Sequence, residues 1–180
     1  MSTRYDRAIE LCGILKRMPR TGWVRSKVND PESVADHSMR TSYLGMLLCP
    51  KHLDKNKVIQ MALIHDVAES IVTDITPYDG VSEEEKYKRE DNAWTEISKS
   101  LDNDEMQILW REMEDGNTEE AKFVKELDKL EMLIQAEEYE KLQEDLNLSG
   151  FYTNYTNFFQ FEETKEIFKA IQQRRSTKNI

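Results

Sequence analysis

ALIHDVAES, residues 62–70, sets a histidine, an aspartate and a glutamate behind an apolar lead-in. The chain has only three histidines, and one of them stands here beside an acid in a segment patterned to be buried. Val58, Ala62, His65 and Glu69 fall at i, i+4, i+7 and i+11, so on a helix they share one face. His65 and Glu69 then continue the apolar stripe. Asp66 turns about 100° away, near enough for the three side chains to converge on one ion. The spacing predicts a helix from about Asp54 through this stretch.

Helical spacing continues outward, and only 6 Gly and 4 Pro interrupt it. A first helix is expected over 4–17, followed by the loop RMPRTGWVRSKVND. Asp30-Pro31 reads as an N-cap with proline at the first helical position, opening a second helix that Pro50 stops. TDITPYDGV is a loop, and Ser82 with Glu85 reads as a capping box for a charged helix over about 83–99. A helix over about 103–114 ends at Gly116. Asn117 or Thr118 caps a long one reaching about Leu146, closed by Gly150. FYTNYTNFFQF carries six aromatics in eleven residues, a stretch expected to pin the C-terminal segment onto the core or a partner subunit. A short helix over about 162–173 and a frayed RRSTKNI tail finish the chain. The expectation is one all-α domain over 1–180, its core at about 4–146, with the aromatic segment and C-terminal helix at 147–180.

Composition narrows the function. Net charge is −10 and pI about 4.9, which opposes a long nucleic-acid footprint but leaves room for a mononucleotide held by a few local cations. The N-terminus lacks the apolar core of a signal peptide. No apolar run approaches the roughly 20 residues of a membrane span. Cys12 and Cys49 show no metal or redox spacing and read as two buried free thiols. A cytoplasmic protein is expected.

Two further inward faces carry ligand-type residues. His37 aligns with Thr41, Leu44 and Leu48, whereas His52 sits in a polar turn. On the long helix, Phe123, Leu127, Leu130 and Ile134 form the core seam, and Asp128 stands at its edge. A carboxylate there needs compensation, from a salt-bridge partner such as Lys125 or Arg25 or from a divalent metal. Neutral imidazoles with carboxylates suit Mn, Fe, Co, Ni or Zn and leave positions open for water.

The ordered set His37, His65-Asp66, Asp128 resembles the HD-domain metal-dependent phosphohydrolases. LKRMPRTGWV, PESVADHS, ALIHDVAES, TDITPYDGVSEEEK and FVKELDKLEM are similar to the HD domain-containing protein 2 group of 5′-deoxynucleotidases, from about residue 8 to about 140. The resemblance implies a compact helical HD fold of about six to eight helices, commonly a homodimer, that dephosphorylates deoxyribonucleoside 5′-monophosphates. It makes His37, His65, Asp66 and Asp128 the ligands of a divalent cation (Mn, Co, Mg or Zn). Glu69 and Asp74 match acidic positions associated with catalysis, substrate placement or a second metal, and Trp23 matches a tryptophan of the substrate-recognition loop. The bacterial branch carries arginine before that tryptophan. Gly22 stands there in this chain, leaving phosphate to Arg20, Arg25, Arg40 or the metal. Trp23 is the candidate to fill the space of a 2′-hydroxyl, and Glu69 or Asp74 the candidate to orient water or protonate the leaving oxygen. Two rivals stay open: an HD phosphohydrolase acting on another nucleotide, and a non-catalytic metal-binding interaction module.

Overall fold

In the computed structural model, which describes residues 3–155 and 157–178, the helices are α1 Arg4–Leu15, α2 Thr21–Arg25, α3 Val34–Leu48, α4 Lys55–Ile64, α5 Glu69–Val72, α6 Glu83–Leu101, α7 Glu105–Asp115, α8 Glu119–Leu142 and α9 Glu162–Lys178. Short 3₁₀ turns span Pro77–Asp79 and Ser149–Tyr152. α2 and α5 are single turns of five and four residues, so the frame is the seven longer helices. The all-α expectation holds: among the described residues the one extended pairing is an isolated bridge between Pro19 and Ser33. No described helix is long and apolar enough to cross a membrane.

Side chains at the helix ends account for most boundaries. Asp54, Ser82 and Thr118 each accept backbone N–H bonds in the first turn they open, satisfying donors the helix leaves free. Gly116 takes the left-handed φ of 64° that ends α7. Several boundaries differ from expectation. α3 is capped by Ser33, whose reciprocal box with Asp36 satisfies both ends. Asp30, three residues before Ser33, has no acid to close such a box and sits at φ 54° in the preceding turn. α8 stops at Leu142 because Gln143 turns away and ties both its amide atoms to the backbone of Asn29; Gly150 lies beyond, in the 3₁₀ turn. The stretch 54–70 is not one helix. His65 Nδ1 bonds the Ala62 carbonyl at 2.8 Å, a local side-chain bond that competes with the helical ladder, and a turn separates α4 from α5.

α8 is the axis. It gives Phe123, Val124 and Leu127 to a core with Trp94, Trp110 and Met61, and Leu130 and Leu133 to a cluster with Phe159, Phe168 and Ile171. Further along, Ala136 and Tyr139 join Trp23 and Leu148 in a third cluster. At Gly45 of α3 an added Cβ would lie 3.0 Å from Val58 and 3.3 Å from Leu127. The missing side chain is what lets α3, α4 and α8 meet so closely.

The aromatic stretch does pin the C-terminal segment, through Phe159 against Phe168 with ring centroids 4.6 Å apart. α9 outruns the expected 162–173. Arg174 pairs with Glu137 at 2.7 Å, and Arg175 pairs with Glu140 while lying 3.5 Å over the Tyr152 ring. Only residues 179–180 of the expected frayed tail lie outside the described residues. The two thiols are free but not buried as expected: Cys12 is exposed and Cys49 half-buried. Cys12 falls on the outer side of α1, whose inward side is carried by Leu11 and Leu15.

The start of α9 hangs on one carboxylate. Buried Glu126 accepts from the backbone N–H of Gln160 at 2.6 Å, that of Phe161 at 3.3 Å and the Thr164 hydroxyl at 2.5 Å. Glu126→Ala strands these donors and is expected to cost about 2–4 kcal/mol, read as a lower urea midpoint. A loss under about 0.5 kcal/mol, the range of a neutral surface change, would show that α9 is held by its apolar face alone.

Candidate metal centre and active site

Each polar residue of the centre is delivered by an end or an edge of a helix. His37 is in the first turn of α3, just inside the Ser33–Asp36 box, and is fully buried. His65 occupies the C-cap of α4. Asp66 follows in the turn, and Asp128 projects from α8. The His37 and His65 Nε2 atoms stand 3.1 Å apart. Asp128 Oδ1 lies 3.2 Å from His37 Nε2, and Asp66 Oδ2 lies 3.2 Å from His65 Nε2 and 3.7 Å from His37 Nε2. Donor atoms of His37, His65 and Asp128 all fall within 4.8 Å of one another.

The hydrogen bonds of the other ring nitrogens decide what this cluster wants. His65 Nδ1 donates to the Ala62 carbonyl and His37 Nδ1 to Glu131. In the neutral tautomers assigned by those partners, both Nε2 atoms present lone pairs. Two lone pairs facing each other between two carboxylates require a cation. A proton can serve: burial and Arg20 push the His37 pKa down, but Glu131 and Asp128 outweigh them and hold it at about 9. A divalent metal fits the same demand with four donors of a mixed N/O set. The carboxylates are held ionised for it. Burial opposes this in both, but His65, Arg20 and His37 lower the pKa of Asp66, and Lys129 and His37 hold Asp128 well below the usual range.

Asp66 and Asp128 of the cluster line a cleft of about 600 Å³, with His37 and His65 behind its lining. Three cationic side chains line it: Arg20, bonded to Asp66 at 2.9 Å, Lys129, bonded to Asp128 at 3.0 Å, and Lys86. Glu69 is buried there, and its Oε2 has no hydrogen-bond partner. Burial, reinforced by Asp66 and Asp74, pushes its pKa well above the ordinary carboxyl range. Asp74 is differently employed, accepting the Thr21 backbone N–H at 2.5 Å and so tying α2 to the loop after α5. α2 carries Trp23, only 2% exposed, whose Nε1 donates to Glu32 at 2.9 Å. Its ring lies edge-on to Tyr139 and 4.6 Å from Phe151.

Of the residues singled out in the sequence, the structure brings His37, His65, Asp66, Asp128, Glu69, Asp74, Trp23 and Arg20 together. It does not bring Arg25 or Arg40 to the cleft lining. Arg25 pairs with Asp79, and Arg40 is held by Glu131, Gln135 and Glu138. The expected partners of Asp128 are also absent, since Lys125 bonds the Glu114 carbonyl. Lys86, Lys129, Glu131, Glu32, Phe151 and Tyr155 were not singled out for the site. Glu131 had a signal, since it lies one turn after Asp128. A Cβ at Gly22 would meet the Phe151 ring at 3.6 Å, an ordinary van der Waals contact.

The chain is similar to known proteins over most of its length. A family model described as HD domain matches residues 12–168. Human 5′-deoxynucleotidase HDDC2 is 42% identical over 173 residues, covering 94% of this chain and 85% of that protein. The protein of the same name from Dictyostelium discoideum is 44% identical over 165 residues, covering 83% and 87%. Among solved structures, PH0347 protein from Pyrococcus horikoshii OT3 superimposes with a TM-score of 0.78 at 31% identity, covering 93% of this chain and 96% of that one. With the helical frame, the inward His37, His65-Asp66 and Asp128, and matches that span most of its length, the chain belongs to the HD-domain family.

Proposed function

We propose that this protein is a metal-dependent 5′-deoxynucleotidase, hydrolysing deoxyribonucleoside 5′-monophosphates to the deoxynucleoside and phosphate. The observation that carries the reading is the pair of opposed Nε2 lone pairs, flanked by Asp66 and Asp128, whose carboxylates line a cleft together with three cationic side chains. The names of the HDDC2 relatives point the same way. His37, His65, Asp66 and Asp128 would hold a divalent cation (Mn, Co, Mg or Zn). When bound, the cation supplies Lewis-acid activation of water and neutralises phosphate charge.

The chain's own residues do the remainder. Arg20, Lys86 and Lys129 bind and orient the phosphate dianion, a task of positioning and charge neutralisation. Water attacks phosphorus in line and the P–O5′ bond breaks. Glu69, whose pKa burial raises, gives its proton to the departing O5′; the attacking water, on the opposite side of phosphorus, loses its proton to solvent, and Glu69 is reprotonated from solvent. Asp74, engaged with Thr21, sets the height of α2 over the cleft. Trp23 closes the position of a 2′-hydroxyl, because steric exclusion rejects an added hydroxyl better than an apolar pocket does.

We also infer that the protein works as a homodimer. Met39, Tyr43, Met46 and Leu47 are each 54–60% exposed along the outer face of α3, an apolar stripe suited to an isologous contact. Sedimentation is expected to give about twice the 21.2 kDa chain mass, reduced to one by Tyr43→Glu. A wild-type monomer at micromolar concentration would remove this inference.

For the activity, stripped protein reloaded with Mn, Co, Mg or Zn is expected to release phosphate from dAMP and much less from AMP. His65→Ala should abolish release, and Trp23→Ala should narrow the preference. Release of pyrophosphate or triphosphate from a longer nucleotide, with no turnover of monophosphates, would move the protein to another HD phosphohydrolase class. Binding without any turnover would make it an interaction module.

Glu69 and Asp74 are expected to separate kinetically. Glu69→Gln removes the proton donor and should lower kcat by about 10²–10⁴ with KM little changed. Asp74→Asn should act chiefly on KM and on sugar preference. Equal kcat losses in both would return the general-acid assignment to an open choice between them.

A further inference from the structure

Beside the metal centre runs a chain of charged groups, centred on buried Glu131, that the hydrolysis does not use. Glu131 is fully buried on α8, one turn after Asp128. One of its oxygens takes the His37 Nδ1–H bond, and the other accepts from Arg40 Nε at 2.8 Å. Arg40 also donates to Gln135, and to Glu138 at 2.7 Å. Its Nη2 lies 4.0 Å from Glu32, whose other oxygen accepts from Trp23 Nε1 at 2.9 Å. Glu32 is fixed in turn by its backbone N–H, which donates to the Tyr139 hydroxyl at 2.7 Å. None of Glu32, Arg40 and Glu131 lines the cleft.

The donor atoms of Glu32, His37 and Glu131 fall within 4.8 Å of one another, a spacing that would suit a cation. The guanidinium of Arg40 fills that requirement. It is permanently charged and planar, and its fork is held by several acceptors at once, so it fixes carboxylates in a way a flexible ammonium cannot. A carboxylate so fixed sets both the orientation of the imidazole it touches and the nitrogen that keeps the proton.

We propose that Arg40 and Glu131 are positioning residues for the metal ligand His37, and that Glu32 extends the same array to Trp23, so that one guanidinium braces both the metal centre and the sugar-selecting indole. The first half rests on His37 being a metal ligand, and the second on the deoxynucleotidase reading.

The test uses the full chain with Arg40→Lys and Glu32→Gln, measuring Mn²⁺ affinity by calorimetry, thermal midpoint and the dAMP:AMP activity ratio. Arg40→Lys is expected to weaken Mn²⁺ binding about 10-fold or more and to narrow the dAMP:AMP ratio, at a midpoint near wild type. Glu32→Gln should narrow the ratio and leave Mn²⁺ affinity unchanged. If Arg40→Lys fails to fold, Glu131→Gln carries the metal arm and is expected to give the same loss of Mn²⁺ affinity.

An Arg40→Lys protein with unchanged Mn²⁺ affinity, a higher KM and weaker inhibition by inorganic phosphate would overturn the proposal and make Arg40 a phosphate ligand. An unchanged dAMP:AMP ratio in Glu32→Gln would overturn the extension to Trp23. If wild type turned over no deoxynucleotide while Arg40→Lys still lost Mn²⁺, the substrate reading would fail and the bracing of His37 would stand.

Discussion

Two imidazole nitrogens, each with its ring partner already donating elsewhere, meet at 3.1 Å between a pair of carboxylates. Such a cluster is costly to bury without a positive charge, and much of the surrounding structure can be understood as supporting it. The bond from His65 to the Ala62 carbonyl ends α4 where the Asp66 carboxylate must turn inward. The Ser33–Asp36 box starts α3 four residues before His37 and fixes its depth. α8 cannot rotate to release Asp128 without disturbing three apolar clusters at once. The rigidity of the frame is thereby passed to the ligand atoms, the condition for a site held within tenths of an ångström.

The acidic charge of the chain poses a second problem, because the substrate assigned to it is an anion. Net charge of −10 repels phosphate at long range. Arg20, Lys86 and Lys129 reverse the sign locally, yet Arg20 and Lys129 are each bonded to a carboxylate of the cluster. These pairs lower the charge that must be buried in the resting protein. A phosphate and a divalent cation arriving together could exchange partners with them without leaving any group uncompensated. Glu69 is the exception, a buried carboxyl with an oxygen that has no hydrogen-bond partner, and burial, with Asp66 and Asp74, raises its pKa well above the ordinary carboxyl range.

Local patterns in the sequence carried the helices and the four ligand-type residues, since caps and spacing act within a few residues of where they are written. They carried the geometry less well. Val58, Ala62, His65 and Glu69 are all buried as the spacing implied, but the helix breaks at Ile64, and Glu69 reaches the site from a separate turn. Glu131 was legible by the same arithmetic as Asp128 and was passed over, because a carboxylate gripped by an arginine from another helix looks in sequence like any surface glutamate. Arg40 stands among the phosphate candidates for the converse reason. Its partners are 91 to 98 residues away, and no local rule pairs α3 with α8. The aromatic stretch divided its work in a way composition could not show: Phe159 is core, while Phe151 and Tyr155 reach the cleft.

Phe151 also helps to hold the tryptophan beside the cleft in place. The Phe151 ring lies 4.6 Å from the Trp23 ring, tilted by 33°. Tyr139 backs the indole edge-on, and Glu32 holds its nitrogen. The indole is thus fixed on three sides by groups from α8, from the segment before α3 and from the C-terminal stretch. A side chain so enclosed has little freedom to retreat from a bulky sugar, and that immobility, more than its size, is what steric exclusion of a hydroxyl requires.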